Sequence, residues 1–212
     1  LARAQGICAA TAVELPARFV WRAYRAVLGR GAVPATSALD KLPMTWRLMR
    51  LLPSLMHEPV FEPVSGFLGN GDAARRLQLA QRLADLFDQY QVYRSDWLED
   101  WAQGRDVIRA GPQGGKGTAD SVPESQRWQP ALWRALRSAL ADSELSTSRA
   151  VLHQRFLSAL RTPALAGERA FPSLPRRIVL FGTTHIPHQT LEAITALAAH
   201  CQVLMAVPNP CR

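Results

Sequence analysis

The sequence predicts an α/β protein that is mostly helical and carries a parallel β-α-β unit near its C-terminal end. Two observations lead there. Apolar residues recur at helical spacing through most of residues 16–160. Beyond them the pattern changes: "RIVLFG" (177–182) and "CQVLMAVP" (201–208) are continuous apolar runs on either side of "HQTLEAITALAAH" (188–200). Two such runs joined by a helix suit neighbouring parallel strands covered on both faces. The chain therefore reads as a helical block of about 150 residues set between elements of an α/β layer.

The elements follow in order. "GICAATAVEL" (6–15) is expected to form a short buried strand. Pro16 suits the first turn of the helix "PARFVWRAYRAVLG", whose Phe19, Val20, Ala23, Tyr24 and Val27 fall at helical spacing and which Gly29, Gly31 and Pro34 break. Ser37 or Asp40 can cap the next helix, "LDKLPMTWRLMRLLPSLMHE", which Pro53 should kink or end. "EPVFEPVSGFLGNG" is a short helix between turns. The most periodic segment is 72–93, capped by Asp72, with Leu77, Ala80, Leu83, Ala84, Phe87 and Tyr90 on its apolar stripe. Gln78, Gln81, Arg82, Asp85, Asp88 and Gln89 fall on the opposite side. "RSDWLEDWAQG" adds a helix with Ser95 as its cap, and the Gly-rich stretch 104–124 reads as a loop. Two amphipathic helices carry Trp128, Trp133, Leu136 and Leu140, then Leu152, Phe156 and Leu160; "RTPALAGERAFPSLP" is a Pro-rich connector.

Composition limits the function. The 212 residues are 48% hydrophobic and 20% charged, enough to bury a core. The net charge is +8 with a pI near 10.4, and Lys41 and Lys116 are the sole lysines. The excess is thus almost all arginine, whose planar fork suits phosphate. It favours a polyanionic partner such as nucleic acid, although arginine-rich genomic base composition accounts for it as well. Cys8, Cys201 and Cys211 make neither a disulfide framework nor a zinc site and point to a reducing, cytoplasmic setting. No apolar run approaches a membrane span, and no signal-peptide anatomy is present. The absent initiator methionine and the abrupt "NPCR" suggest a piece of a longer protein.

Several motifs do not reach a catalytic site. "AGPQGGKGT" (110–118) has Ala110 where a phosphate loop needs its first glycine and Gly117 where a hydroxyl should hold magnesium, with no buried strand before it. His185 and His188 lack a third ligand and read as loop histidines, and Cys201 reads as core. Asp85 and Asp88, three apart, could serve as acid and base, but a solvated helix face is the commoner arrangement. With Arg82 and Arg94 nearby, the same face offers both donors and acceptors, which base edges need and phosphate alone does not. Of the tryptophans at 21, 46, 97, 101, 128 and 133, most should pack helices and one or two could stack bases.

"LPARFVW", "MTWRLMRLLP", "LADLFDQYQVYRSDWLEDW", "WQPALWRAL", "RAVLHQRFLSAL" and "NPCR" together, in this order, resemble the amino-terminal part of the RecC family, the gamma subunits of exodeoxyribonuclease V. The likeness covers nearly the whole chain apart from 105–122. It implies a superfamily 1 helicase-like (P-loop NTPase-like) parallel α/β fold that has lost its ATPase residues. Its parts would be residues 1–34 (strand plus helix) in the α/β domain, 35–165 as an inserted helical subdomain, and 166–212 as the β-α-β return. The implied partners are the RecB and RecD subunits, the emerging 3′ single strand and the duplex end, with Chi recognition as the task. The resemblance puts the strand-reading surface on Leu15, Trp21, Asp85, Leu86, Asp88, Gln89, Arg94 and Arg149, and implies no catalytic residue, cofactor or metal in this segment. A working helicase ends the corresponding strand with Asp-Glu to hold magnesium and activate water. Here that tract is "LFGTTHIP".

Overall fold

The computed structural model describes residues 2–6, 9, 11–68, 72–111, 118–161, 170–182 and 185–207. Among them are ten α-helices and two small two-stranded sheets. A single turn, α1 (Ala2–Gln5), precedes α2 (Pro16–Leu28), which opens on its proline and closes on Gly29 at φ 88°, a conformation L side chains rarely adopt. α3 (Lys41–Leu55) follows, then a 3-10 turn and α4 (Glu62–Leu68). α5 (Ala73–Tyr93) is the longest helix, and Asp72 caps it by accepting from the Ala74 N–H at 2.9 Å. α6 (Ser95–Ala102) leads into β1 (Val107–Arg109), which pairs antiparallel with β2 (Ala119–Ser121). α7 (Trp128–Ser138), the single-turn α8 (Asp142–Leu145) and α9 (Arg149–Leu160) complete the helical part. The chain ends in β3 (Arg177–Phe181), α10 (His188–Leu197) and β4 (Gln202–Ala206), the two strands being parallel with Arg177 opposite Gln202.

Two apolar cores organise these elements. The first joins Met44, Leu48 and Leu52 of α3, Ala80, Leu83, Ala84 and Phe87 of α5, Trp101 of α6, and Leu132, Trp133 and Leu136 of α7. Phe87 and Trp133 stack with centroids 5.3 Å apart. One buried polar side chain on this side of α5, Gln91, donates to the Leu39 carbonyl at 2.9 Å. The second core joins Val20, Ala23 and Tyr24 of α2, Leu152, Phe156 and Leu160 of α9, Ile178 and Leu180 of β3, and Ala193, Ile194 and Leu197 of α10. Helix α9 therefore packs with the N-terminal helix and the β-α-β unit, and α10 also touches α5.

The structure corrects several expectations. Ala9 and residues 11–15 form no strand, and Val13 is 97% exposed. No described strand runs beside them, and an unpaired buried strand would leave its backbone groups without partners. The parallel pair is covered on one face only: Ile178 and Leu180 are buried, whereas Val179 and Phe181 are 61% and 84% exposed. The stretch 104–124 is not all loop, because tertiary anchors override its glycines. Trp97 and Trp101 donate their indole N–H groups to the carbonyls of Arg109 (3.2 Å) and Val107 (2.9 Å), and Val122 is buried. Pro53 sits in the last turn of α3, which runs on to Leu55. Asp40 holds the N-cap position, but its carboxylate accepts from the Ser37 N–H at 2.7 Å rather than from the helix. Arg94, not Ser95, precedes α6 as its N-cap residue. Cys201 is half-buried against the second core, at the mouth of β4. The core of the phosphate-loop-like stretch (112–117), Thr183, Thr184, Cys8 and "NPCR" lie outside the described residues.

The hairpin is fixed by one buried carboxylate. Asp100 is 2% exposed and accepts from Arg105 (2.6 and 3.0 Å) and Arg109 (2.7 and 3.0 Å). Burial pushes its pKa up, but the hydrogen bonds and charges of Arg109 and Arg105 outweigh burial and hold it below the usual carboxylate range. A lowered carboxyl contributes stability that is complete above its ordinary value of 3.8 and is lost as pH falls through the folded value. Asp100→Asn should lower stability by about 1–3 kcal/mol at neutral pH. It should also flatten the acid limb of stability against pH; denaturant unfolding of both proteins across that range measures the two effects.

Candidate nucleic-acid interface

The burial of Ala80, Leu83, Ala84 and Phe87 turns the opposite side of α5 outward. Asp85, Asp88, Gln89, Val92 and Tyr93 follow one another there at helical spacings of three, four, seven and eight residues, so they share that outward face, with Leu86 at its margin. Gln89 is exposed, Tyr93 is 47% exposed, and Asp85, Leu86 and Asp88 are half-buried.

At the C-terminal end of this face lies a cleft of about 300 Å³. Its walls are Leu15, Pro16, Trp21 and Tyr24 from the start of α2, Val92 and Tyr93 from the end of α5, Arg149 from α9, and Pro187, Gln189 and Thr190 from the start of α10. That volume is at the small end of the range for ligand pockets, roughly 300–1,000 Å³. Four segments far apart in sequence thus meet at one opening. Trp21 stands edge-on to Tyr24 with centroids 5.6 Å apart, and Tyr93 lies 5.9 Å from the His185 ring. Arg149 faces Asp88 at 3.6 Å, which ties the cleft to the outward face of α5, and its Nε is buried without a hydrogen-bond partner among the described residues.

Under the cleft runs a chain of polar groups that is buried at Tyr24 and His153 and half-exposed at Glu192 and His188. The Tyr24 hydroxyl lies 2.7 Å from His153 Nδ1, and His153 Nε2 lies 3.1 Å from the Glu192 carboxylate, to which His188 also approaches at 3.3 Å. Tyr24 and His153 are each 2% exposed. Burial pushes the Tyr24 phenol far above its usual value, against the charge of Arg149. Burial also pulls His153 below its usual 6.5, and its hydrogen bond to Glu192 opposes this. A neutral imidazole with its hydrogen on Nε2 satisfies both neighbours: Tyr24 donates to Nδ1, and Nε2–H donates to Glu192.

Of the residues expected from the sequence, Leu15, Trp21 and Arg149 line the cleft and Asp88 is joined to it through Arg149. Asp85 is on the same face of α5 but pairs with Lys41 of α3. Arg94 is held elsewhere: its guanidinium bonds both oxygens of Asp96 (3.1 and 2.9 Å) and the Arg109 carbonyl (2.5 Å), and lies 3.9 Å over the Trp97 ring. Trp97, Trp101 and Trp133 pack in or against the first core, while Trp46 is 57% exposed on α3. Sequence reasoning passed over Tyr93, Gln189, Thr190, Tyr24, His153 and Glu192. Spacing could have found Tyr93, four residues beyond Gln89 on the same face; the others come together only in the tertiary fold. His188 is a helix residue paired with Glu192 rather than a loop histidine. Among the described residues no cluster of three or more His, Cys, Asp or Glu side chains could hold a metal, and no helix is long and apolar enough to cross a membrane.

Comparison with known proteins is consistent along the whole chain. The family model described as RecC, N-terminal domain, matches residues 1–212. The RecBCD enzyme subunit RecC of Escherichia coli (strain K12) is 35% identical over 209 residues, covering 98% of this chain and 17% of that protein. The RecBCD enzyme subunit RecC of Haemophilus influenzae is 33% identical over 225 residues, covering 100% and 19%. That of Mycolicibacterium smegmatis is 29% identical over 175 residues, covering 79% and 14%. The chain thus spans less than a fifth of the length of these curated relatives. With residues 1–212 inside the family model and relatives 33–35% identical over 98–100% of its length, the chain belongs to the RecC N-terminal domain family.

Proposed function

We propose that this chain is a non-catalytic, DNA-handling part of a RecBCD-type helicase/nuclease (exodeoxyribonuclease V), acting in double-strand break repair by homologous recombination. In this reading it guides the unwound 3′ strand and contributes to recognition of the Chi signal, while nucleotide hydrolysis and strand cleavage belong to RecB- and RecD-like partners in the cytoplasm. The observation that carries the reading is the meeting of Leu15, Trp21 and Arg149 at one cleft, with Asp88 joined to Arg149. An aromatic ring gives a base a stacking surface, an arginine gives a phosphate or guanine two donors, and carboxylate and amide groups give base edges acceptors and donors. The basic balance of the whole chain supports a polyanionic ligand.

The β-α-β unit fits an inactivated helicase-like α/β domain. A nucleotide-hydrolysing relative would need carboxylates at the end of β3, where this sequence has Phe181, Gly182, Thr183 and Thr184. A scaffold role without DNA contact is the second reading, favoured by the open apolar face at Val179 and Phe181.

Asp85→Ala and Asp88→Ala, made in the full-length chain assembled with its partners, should reduce Chi-dependent events about tenfold or more, the range for one good base contact. Unwinding speed should stay near the parent value; loss of unwinding with recognition intact would refute base reading. ATP hydrolysis by this chain alone, with single-stranded DNA present, should stay at background. Crosslinking of Trp21 or Tyr93 to a single strand in the assembled complex should weaken steeply with salt; no crosslink at any salt concentration would favour the scaffold.

A further inference from the structure

The cleft is built from helices that meet at a chain of polar groups buried at Tyr24 and His153 and reaching the half-exposed Glu192; each member sits one helical turn from another residue lining the cleft, and Tyr24 lines it as well. Tyr24 is three residues after Trp21 on α2. His153 is four after Arg149 on α9, and Glu192 is three after Gln189 on α10. Residues three or four apart on a helix are surface neighbours, so the position of one sets the position of the other. We infer that Tyr24, His153 and Glu192 are positioning residues for the strand-reading cleft. Their hydrogen-bond chain fixes the mutual placement of Trp21, Arg149 and the Gln189–Thr190 wall. This rests on the strand-reading role proposed above.

The chain has only one satisfactory arrangement of hydrogens. Tyr24 donates to His153 Nδ1 at 2.7 Å, and His153 Nε2–H donates to Glu192 at 3.1 Å. Hydrogen bonds are directional, so the chain adds to the apolar packing a preference for one spacing and one rotation of the three helices. Apolar residues of similar volume could fill such a site with no loss of stability, so the value of the polar chain is geometric.

A proton added to His153 breaks the arrangement. Nδ1–H would then point at the Tyr24 oxygen, and the Tyr24 hydrogen would lose its acceptor. The ionisable groups around His153 are Tyr24 of α2, Glu192 and His188 of α10, Arg149 on its own helix, and Asp88 of α5 through its pair with Arg149. Because burial sets the folded pKa below 6.5, the neutral form prevails at neutral pH. The unfolded or loosened form binds more protons in that window, so order in the cleft is lost as pH falls below 6.5. The sign is informative: plain electrostatic attraction to DNA strengthens as pH falls and histidines charge, whereas a cleft held by neutral His153 weakens.

The test uses the full-length chain assembled with its partners. Recognition of the signal, unwinding speed and thermal midpoint are measured between about pH 7.5 and about pH 5.5, the range in which histidine titrates. Tyr24→Phe removes one oxygen and keeps the ring. It should lower recognition about fivefold, the loss matching one net hydrogen bond, with unwinding unchanged. Glu192→Gln keeps an acceptor for Nε2–H and should retain most recognition, whereas Glu192→Ala should not. His153→Gln should remove the fall in recognition toward acid pH. Trp21→Ala is the reference for the reading surface. If Trp21→Ala abolishes recognition while Tyr24→Phe, Glu192→Ala and the pH profile match the parent, the positioning role is wrong and the strand-reading role stands. If Trp21→Ala is silent, the strand-reading role fails and the positioning role with it. A parallel fall of unwinding and recognition in Tyr24→Phe also overturns the inference, since it marks a general structural defect.

Discussion

The packing of Ala80, Leu83, Ala84 and Phe87 against α3 and α7 sets the rotation of α5 about its axis, and the approach of Asp88 to Arg149 beside the cleft depends on that rotation. One residue of slip would turn the helix by about 100°, since 3.6 residues complete a turn, and carry Asp88 away from Arg149. Large interlocking side chains make such a slip costly: Phe87, Leu48, Leu52, Leu132 and Leu136 have essentially no exposed surface. A core built for stability thereby aims a polar face that contributes little to stability itself. The ion pair at 3.6 Å between Asp88 and Arg149 is weak in isolation, but it joins an element of the first core to one of the second.

Much of this was legible in the sequence, and the failures share a cause. Periodicity found α2, α3, α5, α7, α9 and the β-α-β unit because their apolar residues repeat with the period of the element itself. The stripe of α5, from Ala80 to Phe87, lies where spacing put it. The segment 6–15 misled because its Val, Thr and Ile favour strands, yet pairing needs a neighbour that no local pattern reveals. The hairpin at 107–121 was hidden for the opposite reason: its strands are short and polar, and its supports are Trp97, Trp101 and Asp100, which stand earlier in the chain. The cleft was half legible. Resemblance supplied Leu15, Trp21 and Arg149, whereas the layer beneath them exists only where three helices meet.

Membership of the RecC N-terminal domain family gives these features a setting without fixing their use. The parallel pair β3–β4 has the order of an α/β domain, and the residues following β3 lack the acids that nucleotide hydrolysis requires. Its uncovered side, with Val179 and Phe181, is apolar enough to call for cover by other polypeptide.

The anchored base of the β1–β2 hairpin has a consequence for variation in this family. The contacts described for it run from Val107 and Val122 at its foot to Arg109, the last residue of β1, and stop short of the connection beyond. Lengthening a connection between paired strands costs little more than closure entropy, about 0.6 kcal/mol for each doubling of its length. Insertions and deletions between residues 110 and 118 can therefore accumulate with little effect on either core. The tip is a natural place for related chains to differ in length, and a practical one for attaching a fluorophore or affinity tag.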